Sequence, residues 1–383
     1  MRLINCLLLA LACSSSNPCA AGNPAEPERH AADVADTWQE FQADRERHRF
    51  SGLASYYNGV RFYLVGEDIL QPLKPGESFI LDNGIFLAAV ARFDVLLVQD
   101  PGLSLRLGER DSVIEDLKAQ VEPDRIRVVE KSALYHISPA LTQLQYAHLW
   151  APLSELSKLV ERCLIFIDTH TARNLGITIV IFTLLLKLLL FPVNVAIYRM
   201  QNEVGRIRSR LEPELTEIKA SFDGEEAHNR IMAAHAGLGV TPFYSLRPLL
   251  GLMVLVPLWI AVFNALGEMP QFKGQSFLWI GDLAYPDIIS VLPFHVPLLG
   301  STVHLLPLIM AGVTGLSAWT LHNDQWSKAE YIRQRRNCYW MALAFLFLFY
   351  PFPAAMVLYW TLNNLLQIIV QLAVRTWLEG ARR

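Results

Sequence analysis

One lysine stands where a lysine is expensive. Leu175 to Ile197 reads LGITIVIFTLLLKLLLFPVNVAI, 23 almost wholly apolar residues with Lys187 near the middle and Pro192 five residues later. At a rise of about 1.5 Å per residue, a helix of that length covers a bilayer core of ~30 Å. A cation at such depth costs roughly 2.5–3.5 kcal/mol on insertion scales, so the residue needs a use. Its stem is too short to reach either end of the run, which points to an internal hydrated cavity. Thr183 lies one turn before it on the same face. Thr361, Asn364 and Gln371 in the last apolar run lie three or seven apart and could share a face. An unpaired cation in a polar cavity is suited to attract a visiting anion. The plainer reading is a lysine satisfied by carbonyls and hydroxyls, with interhelical amide bonds that serve packing alone.

Other chemistries find little support. The ten histidines show no HExxH, no GxSxG is present, and Cys6, Cys13, Cys19, Cys163 and Cys338 have neither metal spacing nor a disulfide framework. No catalysis, cofactor or metal is expected. Net charge is −3, which gives no case for nucleic acid as a partner. Cys13 raises a different chemistry. Arg2, the apolar run Leu3 to Ala12 and the small residues Ala10 and Ala12 read as an export signal over residues 1–21. Lipidation of Cys13 is one outcome, and plain cleavage or an uncleaved anchor is the other.

The elements that must position Lys187 follow from composition. The chain is 52% hydrophobic and only 18% charged, against about 25% charged in soluble domains. The charges crowd into the first 170 residues and two later loops. Residues 22–147 read as a small mixed α/β domain. Val60–Val65, Ser78–Leu87, Phe93–Gln99 and Arg125–Val129 are strand-like, and Asp111–Val121 and Ala31–Arg47 are helix-prone. Asp82, Asp94 and Tyr56 there form no recognisable catalytic set. Residues 148–172 hold apolar positions Leu149, Leu153, Leu156, Val160, Cys163 and Ile167 at helical spacing with charges between them, as in an interfacial amphipathic helix.

Residues 173–383 hold five apolar runs: Leu175–Ile197, Leu249–Leu266, Val303–Leu321, Cys338–Tyr350 and Ala354–Val374. Lys187 is the only Lys, Arg, Asp or Glu in them. The expected class is therefore an all-α polytopic membrane protein of five spans. Between the first two runs, residues 198–241 carry a stripe of Val204, Ile207, Leu211, Leu215, Ile218 and Phe222, then the turn Asp223-Gly224. That pattern predicts a helical hairpin, kinked at Pro213. Basic residues fill the hairpin, the loop His322–Asn337 and the tail, while Glu268–Thr302 has only Lys273. By the positive-inside rule the hairpin and C-terminus are cytoplasmic and residues 22–147 lie outside.

Taken in order, several of these patterns resemble the YidC/Oxa/Alb family of membrane protein insertases. They are Thr183, Lys187 and Pro192 in the first run, Leu211 and Pro213 in the hairpin, and Pro257-Leu258-Trp259 in the second run. Leu278-Trp279-Ile280-Gly281-Asp282-Leu283 follows, and then Phe352-Pro353 leading through Tyr359-Trp360 to Asn364. The resemblance covers Leu149 to the C-terminus. It implies a bacterial inner-membrane protein that inserts and helps fold nascent membrane proteins without nucleotide hydrolysis. Partners would include the Sec translocon, the ribosome and membrane lipids. It also implies a hydrophilic groove lined by Lys187, Thr183, Tyr359, Trp360 and Asn364. Bacterial members mostly carry Arg where Lys187 stands, and the external domain here is smaller than in many of them. A solute or ion transporter is the rival reading, but the internal repeats and paired intramembrane charges it calls for are not visible.

Overall fold

The computed structural model describes residues 60–380 except 75, 109–116, 118, 123–124, 172–173, 297–298 and 321–327. The export signal, Cys13, the Ala31–Arg47 helix, Tyr56 and most of the Asp111–Val121 helix lie outside the described residues. The chain divides into two compact units.

The first unit ends at Ser154 and includes Glu268–Gln271. Its centre is a five-stranded antiparallel sheet built from β1 (Arg61–Val65), β2 (Leu70–Leu73), β4 (Phe86–Val90), β5 (Asp94–Val98) and β7 (Ile126–Glu130), in the order β2-β1-β4-β5-β7. Strands β1, β4 and β5 are buried along nearly their whole length, because both faces of the sheet are covered. One face packs Phe62, Leu64, Leu87, Leu96 and Val128 against Phe79, Leu81 and Leu105, which belong to or flank the pair β3 (Ser78–Ile80) and β6 (Ser104–Arg106). The other packs Tyr63, Val65, Val95, Leu97 and Val129 against Leu134, Leu141 and Leu144. The single run expected over Ser78–Leu87 is two strands, β3 and β4, which lie in different sheets.

A buried ion cluster closes this unit. Lys131 Nζ donates to Glu268 Oε2 at 2.9 Å, and His148 Nε2 lies 3.3 Å from Glu268 Oε1. Burial alone would push the Glu268 carboxyl up. Lys131, His148 and Arg61 together outweigh it and hold the group below the usual glutamate range.

The second unit is mostly helical. It contains most of α1 (Ala151–His170), then α2 (Leu175–Leu189), α3 (Phe191–Ser221), α4 (Gly224–Gly237), α5 (Arg247–Glu268), α6 (Leu305–Thr320), α7 (Lys328–Phe349) and α8 (Ala354–Gly380). All six stripe residues of the hairpin, Val204 to Phe222, join one cluster with Ile231, Ala234 and Tyr244. Helix α3 continues through Pro213.

The segment between the second and third runs carries an antiparallel pair, β8 (Ile288–Val296) and β9 (Gly300–His304), so this unit is not all-α. The backbone around it fixes the start of α8, whose first N–H groups have no partner within the helix. Ala354 and Ala355 donate theirs to the carbonyls of Tyr285 and Leu283, at 2.9 and 3.0 Å.

By length and composition, one described helix could cross a membrane alone, Ala354–Ala373. The helices α1 and α2 pass the same test only as a pair bent by 117°, and Leu255–Glu268 and Leu305–Trp319 are shorter apolar helices.

Candidate functional site

The run around Lys187 is not one helix. It ends at Leu189, and α3 starts at Phe191 with Pro192 in its first turn. Proline is tolerated there because that N–H has no helical acceptor in any case. Lys187 therefore sits in the last turn of a 15-residue helix rather than at the centre of a 23-residue one. This corrects the expectation from the sequence. The position also suits the charge, since a cation is stabilised at a helix C-terminus, where unpaired carbonyls gather. At the other end, the Asn174 side chain accepts from the N–H groups of Gly176 and Ile177 and starts the helix. Gly176 meets the loop closely, and a Cβ built there would overlap the ring of Phe277.

Helix α8 packs on α2 and on α6 and presents amides to both. Lys187 Nζ donates to Gln367 Oε1 at 2.8 Å. Asn364 Nδ2, three residues earlier, donates to Thr314 Oγ1 of α6 at 2.9 Å. Thr314 in turn donates to the Met310 carbonyl, which leaves its lone pairs for Asn364. Two amides nearly one turn apart thus hold α8 to two different helices.

The remaining sequence-derived positions make other contacts. Thr183 is buried and gives its hydroxyl to the Ile179 carbonyl of its own helix, at 2.6 Å. Tyr359 is buried, with its ring 6.5 Å from Phe182 of α2. Trp360 turns into an aromatic cluster with Trp259, Phe263, Phe345 and Phe349, at centroid distances of 5.9, 5.5, 5.8 and 5.3 Å. Its buried indole N–H has no acceptor among the described residues. The structure brings Lys187 to the polar side of α8, one turn beyond Asn364. It does not hydrogen-bond Lys187 to Thr183, Tyr359, Trp360 or Asn364.

Gln367 is the residue that the sequence reading passed over. The signal was present, since Asn364, Gln367 and Gln371 recur at three and four. The partner matters chemically. An amide oxygen satisfies one donor of the ammonium and leaves its charge intact. A carboxylate arriving at the same point would make a charge-assisted bond, roughly twice as strong as a neutral one, and could displace the amide.

Comparison with known proteins gives the kinship. The family model described as 60Kd inner membrane protein matches residues 166–381, over half of the chain. The membrane protein insertase YidC of Herminiimonas arsenicoxydans is 29% identical over 211 residues, covering 55% of this chain and 35% of that protein. The membrane protein insertase YidC 1 of Streptococcus pyogenes serotype M3 is 29% identical over 202 residues, covering 51% of this chain and 65% of that one. The match thus spans about a third of the first relative and just under two thirds of the second. A crystal structure of an active YidC insertase with its first transmembrane domain resolved aligns with 79% of this chain and 67% of its own, at 20% identity and a TM-score of 0.38. By the family model, the chain belongs to the 60Kd inner membrane protein family.

Proposed function

We propose that this protein is a membrane protein insertase of the bacterial inner membrane, acting on nascent membrane proteins without nucleotide hydrolysis. The observation that carries the reading is the Lys187–Gln367 bond. It is a cation held by a neutral side chain in a family of inner membrane proteins. An acidic stretch of an incoming polypeptide exchanges with Gln367, rests on Lys187 while its flanking apolar residues enter lipid, and leaves when the amide returns. Thr183, Tyr359, Trp360 and Asn364 form the surrounding groove wall, with Asn364 tethering α8 to α6 while Lys187 is engaged.

The helical unit crosses the membrane five times, through α2, the run Leu249–Leu266 of α5, α6, the apolar half of α7 and α8. Support comes from side chains that face outward on these helices. Leu184, Leu188, Met253, Ile260, Leu316, Trp340, Phe347, Leu365 and Ile369 are all exposed, as a lipid-facing surface requires. Helices of 15 and 16 residues reach only ~22–24 Å, so the bilayer thins around them. The amphipathic α1 lies in the interface. The α3–α4 hairpin and the C-terminus are cytoplasmic and the first unit is extracytoplasmic, behind an export signal over residues 1–21 that leaves Cys13 open to lipidation. The Sec translocon and the ribosome are the expected partners.

The test is reconstitution of the full chain into liposomes with a small substrate bearing an acidic tail. Insertion without ATP is the expected result. Solute flux in place of insertion would move the reading to a transporter.

A further inference from the structure

We propose that the β8–β9 ribbon is a membrane-interface element that seats its side chains among lipid acyl chains beside the entry to α6. The inference rests on the membrane reading of the helical unit.

A two-stranded ribbon is marginal unless one face is covered, and soluble ribbons keep their open face polar. Here the register of β8 shifts between Ile288 and Ser290 and again between Val291 and Val296, so its apolar side chains do not alternate strictly with polar ones. Ile288 and Ile289 are about half exposed, and Val291 and Phe294 more so, at 68% and 62%. Four apolar side chains of one strand thus stand half or more open, without a full protein layer over them among the described residues. No Asp, Glu, Lys or Arg occurs between Asp287 and Asp324, so the ribbon is as free of charge as the helix it feeds. Strand β9 ends at His304 and α6 begins at Leu305 without a linker, which sets the ribbon at the end of a membrane-crossing helix.

The base of the ribbon is fixed in place. Asp287, the residue before β8, accepts from the Leu306 N–H at 2.6 Å and from Trp279 Nε1 at 3.2 Å. One carboxylate therefore closes the two ends of the ribbon and caps the first turn of α6. It also orients Trp279. Leu278 and Trp279 form the tip of a tight turn closed by Phe277 and Ile280, and both are exposed, Leu278 at 75%. A half-exposed tryptophan held by its N–H is the residue type that collects at headgroup level.

Backbone chemistry sets the depth. A two-stranded ribbon has two open edges, and their N–H and C=O groups cannot be satisfied in hydrocarbon. The edges therefore stay with headgroups and water while Ile289, Val291 and Phe294 reach the acyl boundary. A protein partner of complementary charge has nothing to recognise here.

The test uses the full chain with its five cysteines replaced. A nitroxide is attached at Phe294→Cys, at Val291→Cys or at Ile369→Cys on α8. Each protein is reconstituted into vesicles of phosphatidylethanolamine and phosphatidylglycerol, and its accessibility to oxygen and to a water-soluble nickel chelate is measured. Labels at 291 and 294 should give an oxygen-to-nickel ratio above that of a water-exposed site and below that at 369. A nickel-rich signal at both 291 and 294, with 369 still rich in oxygen, overturns the proposal and leaves the membrane reading standing. A nickel-rich signal at 369 overturns both. Spin–spin broadening at 294 would assign the ribbon to a second copy of the chain and overturns the lipid assignment.

Discussion

Gln367 Oε1 lies 2.8 Å from Lys187 Nζ, and this bond between α8 and α2 holds a charge without cancelling it. The first prediction follows directly. Gln367→Glu replaces the neutral acceptor with a permanent counter-ion, so the site no longer presents a free charge. In proteoliposomes, insertion of an acidic-tailed substrate should fall to the level of Lys187→Gln, while Gln367→Asn keeps most of it. Equal insertion by Gln367→Glu and the parent would remove the charge from the mechanism.

Charge sign matters more than the identity of the cation. Lys187→Arg should be tolerated, since the guanidinium keeps the charge and can still donate to an amide. Lys187→Glu should impair insertion, because an acidic segment then meets like charge. Growth of a depletion strain supported fully by Lys187→Glu would sink the idea.

The Asn364–Thr314 bond should act as a tether rather than as a substrate contact. Removing it through Asn364→Leu and Thr314→Val, singly and together, should give a coupling energy near 0.6 kcal/mol, the average for such bonds in membranes, with ~1.7 as the ceiling. The measurement is a double-mutant cycle on unfolding in mixed detergent micelles. Additive effects would mean that the bond does not hold the helices.

Gly176 is required by the ring beside it. A methyl group there overlaps Phe277, and overpacking of this kind costs about 1–3 kcal/mol. Gly176→Ala should lower the thermal midpoint, and a second change, Phe277→Ala, should recover part of the loss. A neutral Gly176→Ala would show that the loop yields freely.

The Glu268 cluster should give the first unit an acid limit. The folded carboxyl titrates below the ~4.3 of a free glutamate. The stability it contributes is thus present above that value and is lost as pH falls through the folded one. Glu268→Gln should flatten the loss of stability below about pH 4. Lys131→Met alone removes one of two close partners of a buried carboxylate and should cost more than the double change Lys131→Met with Glu268→Leu. Thermal melts across pH 3 to 7 would test both points, and an unaltered acid limb in Glu268→Gln would contradict them.

Much of this was legible in the sequence where periodicity is long. The six-residue stripe from Val204 to Phe222 forms one packed cluster, because a repeat over five turns can satisfy only one helix face. The shortest and most irregular elements were not legible. Strand β6 has three residues and β2 carries Pro72, so neither shows alternation. Strand β8 contains Pro293 within an irregular stretch of its register, and proline argues against a strand. The break after Leu189 is invisible to hydropathy, since Leu190 and Phe191 are as apolar as their neighbours. The Lys187 site was half visible. Its charge and the amide-bearing last helix stood out, but which amide reaches it depends on how α2 and α8 rotate against each other, and no local pattern records that.

Helix α3 runs unbroken for 31 residues from the joint beside Lys187 to Ser221, a rod of about 46 Å. If the rod pivots at Leu190, a tilt of about 5° sweeps the far end through ~4 Å while the joint, three residues from the ammonium, scarcely moves. Such a tilt would leave Lys187 on Gln367, whereas a turn of the rod about its own axis would be felt at the charge.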